Sequence, residues 1–81
     1  MPMDNAMMNI IREELMKQDA HFRELVQKHQ SLEQRLTELA SLHYPTEEEQ
    51  MEEMIIKRQK LAIKDEIYSK ILEHSKQHQK S

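Results

Sequence analysis

Apolar residues recur along the first half of the chain in alternating steps of three and four. Phe22, Leu25, Leu32, Leu36 and Leu39 follow that rhythm, with His29 standing where it asks for one more. Such a period lines one face of an α-helix. The same phase runs backward through Gln18, Leu15, Ile11 and Met8. A first helix therefore either begins near Asp4 and continues unbroken, or restarts at Asp19, whose side chain suits an N-cap. Residues 1–18 read as a Met-rich helical extension carrying Met7, Met8, Ile10, Ile11, Leu15 and Met16.

The pattern stops at LHYPTEEE, residues 42–49. Pro45 has no N–H and disfavours helical geometry at Tyr44, so the helix should end near His43. Thr46 with Glu49 three residues on is a capping box, and Glu47 and Glu48 suit the positive end of a second helix. From Thr46 to Met54 there are five Glu and no base; from Ile55 to Ser81 there are seven bases against three acids. That order complements a helix dipole. A turn near 43–46 thus joins two helices.

The second helix carries two stripes. One is Ile56, Lys60, Ile63 and Ile67; the other is Met54, Leu61, Tyr68 and Leu72. Folding the chain back at the turn sets Leu32 opposite Ile56, His29 opposite Lys60, Leu25 opposite Ile63 and Phe22 opposite Ile67. Apolar then meets apolar, and His29 with Lys60 forms one polar layer of the kind that fixes register. The Leu61 stripe has no cover within a hairpin, so a further chain is expected on it. Arg58 and Asp65 flank that stripe and read as charge pairing at the rim of an oligomer interface. The fold expected is all-α: a two-helix antiparallel coiled-coil hairpin over 19–75, assembling into a helical bundle, with a polar tail at 76–81.

Composition narrows the function. The chain has 81 residues, a hydrophobic fraction of 37%, aromatics at 4%, charged residues at 33%, no Gly and no Cys. Absence of Gly tells against tight hairpins and phosphate-cradling loops. Absence of Cys removes disulfides, thiolate nucleophiles and thiolate-ligated zinc. A net charge of −3 is mild and argues against a dedicated phosphate-backbone binder. With no membrane-length apolar run and no signal-peptide layout, the expected location is the cytoplasm.

The segments FRELVQKHQSLEQRLTEL and PTEEEQMEEMIIKRQKLAIKDEIYSKI resemble the YdcH-like family of small bacterial proteins. The resemblance rests on Phe22, Leu25 and His29, the acidic start at Glu47, Glu48 and Glu49, and the closing KLAIKDEI of residues 60–67. It covers residues 19–71 and implies a helical hairpin in a family without an established biochemical function. The first 18 residues fall outside it.

Candidate chemistry is sparse. His74 and His78 stand four apart, a spacing that can chelate a divalent ion, but no carboxylate layer supports them in EHSKQHQKS. Lys57, Arg58, Lys60 and Lys64 are spread around the helix and lack interleaved aromatics. Asp65 and Glu66 project about 100° apart and cannot share a substrate. A hairpin also offers no concave, water-poor pocket for acid–base work. The Met-rich start reads first as extension of the core, then as an adaptable surface for another protein; its balanced charges do not fit a membrane-surface helix. No catalytic site, cofactor, metal or small-molecule substrate is expected. The chain reads as a non-enzymatic interaction module, pairing with itself as a dimer or larger homo-oligomer, or with another helical protein. The alternative is a nucleic-acid-associated accessory protein using the basic half of the second helix.

Overall fold

The computed structural model describes residues 5–79, and side chains as far as Gln77. Asp4, the expected start of the first helix, and the side chain of His78 lie outside the described residues. Three helices make up the fold: α1, Asn5–Gln18; α2, Ala20–Ala40; and α3, Glu47–Gln79. No strand occurs among the described residues. The all-α class stands, but the chain has three helices where a two-helix hairpin was expected.

The difference lies at one residue. Asp19 adopts an extended backbone, φ −120° and ψ 107°, between two helices. Its N–H still closes α1 on the Leu15 carbonyl at 2.8 Å, and its carbonyl accepts the Arg23 N–H at 3.1 Å to open α2. The groups left over at the break find side-chain partners. The Phe22 N–H donates to Asp19 Oδ1 at 3.1 Å, and the Arg23 guanidinium donates to the carbonyls of Met16 and Lys17 at 2.8 and 3.3 Å. Lys70 of α3 donates to Asp19 Oδ2 at 3.1 Å. The Phe22 N–H, then Lys70, hold the Asp19 carboxyl below its ordinary range. Of the two readings left open by the apolar phase, the restart at Asp19 is therefore the one the chain takes.

The far end of α2 closes without a left-handed residue, in keeping with the lack of Gly. Ser41 caps it at φ −83° and ψ −8°, with its hydroxyl donating to the Glu38 carbonyl at 2.7 Å. The connector runs over residues 41–46, so α2 ends three residues short of the expected His43. Pro45 lies in that connector. Thr46 and Glu49 then form the reciprocal capping box: the Glu49 N–H donates to Thr46 Oγ1 at 3.1 Å, and the Thr46 N–H to Glu49 Oε1 at 2.8 Å. α3 continues to Gln79, into the stretch expected as a polar tail. At 33 residues and 1.5 Å per residue it is about 50 Å long, close to the full 55 Å of the molecule.

α2 and α3 run antiparallel. Arg35 meets Glu52, Glu33 meets Lys60, and Asp19 meets Lys70, so numbers fall on one side as they rise on the other. The core gathers Ile11 and Leu15 of α1, Phe22, Leu25 and Val26 of α2, and Ile63, Ile67 and Ile71 of α3. Phe22 is fully buried and Ile71 nearly so. Each such side chain contributes about 1.5–3 kcal/mol by leaving water. Leu39 and Ile56 are buried closer to the connector. Leu32, Leu36, His29 and Lys60, all assigned to the hairpin core, are only half-buried. α1 covers the other end of the α2–α3 pair, and two helices alone leave each other's flanks open to water.

A candidate interaction surface on the outer side of the third helix

The charges of α3 that face the other helices are matched. Arg35 donates from Nε to Glu52 Oε2 at 2.7 Å and from Nη2 to Oε1 at 2.9 Å, a two-pronged contact. It raises the Arg35 pKa and lowers that of Glu52. Lys60 pairs with Glu33 and holds its carboxyl below the ordinary range. His74 Nε2 lies 2.9 Å from Glu14 Oε2, and His21 Nε2 is 3.9 Å from Glu66. The Arg35–Glu52 contact was missed in the sequence. Its signal was available, since the register that pairs Leu32 with Ile56 also brings opposite charges at 35 and 52 close together.

The expected polar layer takes a particular form. Lys60 turns to Glu33, while His29 Nε2 is buried with no hydrogen-bond partner. His29 thus contributes an unsatisfied polar atom in the middle of the helix pair, a place where such atoms are normally bonded.

On the opposite side of α3 the picture reverses. Met54, Leu61, Tyr68 and Leu72 are 59%, 61%, 47% and 36% exposed. At 100° per residue Leu61 lies about 120–160° around the helix from Ile56, Ile63 and Ile67, which α1 and α2 cover, with the buried Ile71 nearer, at about 80°. Met51, also exposed and about 60° from Met54 around the helix, extends this face toward the start of α3, whereas the exposed Ile55 points about 100° away from Met54 and lies off it. Met51 was detectable, because it stands three residues before Met54. Arg58 and Asp65 lie on the same face, and neither forms an ion pair among the described residues. A large exposed apolar stripe of this kind marks a binding surface more often than a bare one.

Other candidates are dispersed by the fold. Val26 and Ile71 were missed as core residues: Ile71 continues the Ile63–Ile67 steps, and Val26 is off the main stripe until Met16 of α1 packs nearby. An open cleft of about 560 Å³ lies among Leu15, Asp19, His21, Lys70 and His74, but Asp19 and Lys70 are bonded to each other and His74 to Glu14. Among the described residues no three His, Asp or Glu side chains converge as a metal site. Asp65 and Glu66 diverge, Asp65 to the outer face and Glu66 toward His21. Lys57 lies 3.3 Å from Glu53, so the basic half of α3 is partly neutralised along its length. No described helix is long and apolar enough to cross a membrane.

No curated protein and no solved structure matches the chain. One family model does, over residues 22–70, more than half of the sequence, under the description "Protein of unknown function (DUF465)". The matched span begins at the buried Phe22 and ends at Lys70, the partner of Asp19, and so takes in most of the α2–α3 pair with Met54, Leu61 and Tyr68 of its outer face, while Leu72 falls just beyond it. The chain belongs to the DUF465 family, in which the YdcH-like proteins are also placed.

Proposed function

We propose that this protein is a non-enzymatic interaction module that associates with itself through the outer face of α3, building a coiled-coil bundle from two or more helical units. The observation that carries this reading is the stripe of Met54, Leu61, Tyr68 and Leu72, exposed on a helix whose other side is already filled. Four such side chains on each copy, about half-exposed in the single chain and so each contributing about 1 kcal/mol when covered, favour association against its entropic cost. Lys57, Lys60 and Lys70 already lie against carboxylates, which lowers the support for binding a phosphate backbone.

Light scattering behind a sizing column tests the proposal. At tens of micromolar, the wild-type mass should be at least twice the 9.8 kDa of one chain. Leu61→Asp with Tyr68→Asp should reduce it to a single chain while circular dichroism stays helical. A wild-type mass of one chain would overturn self-association.

A further inference from the structure

We infer that the outer face of α3 binds a second copy of itself in antiparallel fashion, about a two-fold axis passing between Leu61 and Ala62, with each Arg58 set against Asp65 of the other copy. This rests on the self-association proposed above and adds its geometry. Three observations carry it.

The first is the order of charges. Arg58 and Asp65 are seven residues apart, about 10 Å along the axis at 1.5 Å per residue, with Leu61 between them. They are the charged residues embedded in the apolar stripe, and neither is ion-paired within the described part of the chain. An in-register parallel pair of α3 helices would place Arg58 on Arg58 and Asp65 on Asp65. Antiparallel pairing about Leu61 turns both repulsions into attractions, and it does so twice by symmetry.

The second is the order of apolar residues. The same axis brings Met51 opposite Leu72, both of them exposed in the single chain and within about 60° of each other around the helix. Leu61 sits at the centre, facing the small Ala62 and leaving room for its counterpart. The third is closure. A parallel pair slipped by seven residues would also match Arg58 to Asp65, but only once, and would leave a free end for further chains to add. The two-fold arrangement uses the same patch on both copies and closes. Its axis falls near the middle of α3, so almost the whole of each 33-residue helix overlaps the other.

The chain has no Cys, which makes introduced cysteines clean reporters. Met51→Cys and Leu72→Cys are made separately and oxidised alone or as an equimolar mixture. The mixture should give a disulfide-linked heterodimer, and Met51→Cys alone should give almost none. Self-linkage of Met51→Cys would overturn the antiparallel geometry while leaving self-association intact; a wild-type mass of one chain would remove both. Charge reversal supplies an independent arm. Arg58→Glu or Asp65→Lys alone should weaken the dimer by about tenfold or more in sedimentation, since two attractions become repulsions. The double variant should return to within about threefold of wild type, because the pairs are restored with their signs exchanged. Single variants that bind as tightly as wild type, or a double variant that stays weak, would overturn the pairing.

Discussion

At the scale of single residues, His29 and Asp19 show how a polar side chain inside a helical array can be either idle or essential. Asp19 uses both carboxylate oxygens, one on the Phe22 N–H and one on Lys70, and so makes the chain's break between α1 and α2 a bonded junction. His29 leaves Nε2 buried and unbonded. Replacing His29 with Leu removes that atom and adds apolar contact, and should stabilise the fold by about 1 kcal/mol. For a chain of this length that is a rise in melting temperature of about 4–8 °C. A thermal melt followed by circular dichroism checks it, and a lower melting temperature would show that His29 has a bonding role in solution. The heptad position of His29 was plain from the neighbouring leucines. Its unbonded state was not, because Lys60, its expected counterpart, has a long enough side chain to reach Glu33 instead.

Among the helices, the α2–α3 pair was legible because each signal was local or periodic. The Thr46–Glu49 box, the Pro45 break and the match of Leu25 and Ile63 needed no long-range information. α1 was harder. Its apolar phase joins that of α2 without a shift, so periodicity alone fits a bent and an unbent chain equally well. What the structure adds is the break held at Asp19 by the Phe22 N–H, by Arg23, and by Lys70, 51 residues away in sequence. α3 had a different ambiguity, as its two opposed apolar stripes cancel in any simple measure of amphipathicity; only the pairing with α2 separates the covered side from the bare one. The packing of α1 makes a sharp contrast between neighbours. Ile11 is 2% exposed and Ile10 is 54% exposed. Ile11→Ala should therefore cost about 2–5 kcal/mol in urea unfolding, and Ile10→Ala less than about 0.5 kcal/mol. Equal effects would mean that α1 does not seat as described.

For the whole molecule, the small size sets the terms. A single chain of 81 residues has a modest core, and its longest helix is covered along one side only. If association and folding are linked as proposed, stability must depend on concentration, since the dimer is bound only in the folded state. Raising the protein concentration a hundredfold, from 5 to 500 µM in order of magnitude, should raise the melting temperature by about 5–10 °C. The Leu61→Asp, Tyr68→Asp variant should melt at the same temperature throughout. A wild-type midpoint that ignores concentration would separate folding from assembly.

The Asp19 junction separates the α2–α3 pair from a first helix that packs on the far end of α3. The family match covers residues 22–70 and leaves out α1 and the last turns of α3. Those two outlying pieces are packed on each other: Ile71 shares the core with Ile11 and Leu15, and His74 meets Glu14. Removing α1 would bare Ile71 and the buried Ser75, so the end of α3 would lose its cover in the same step. The two extremities therefore form one packing unit, whereas Phe22, Leu25, Ile63 and Ile67 of the helix pair keep core partners in each other.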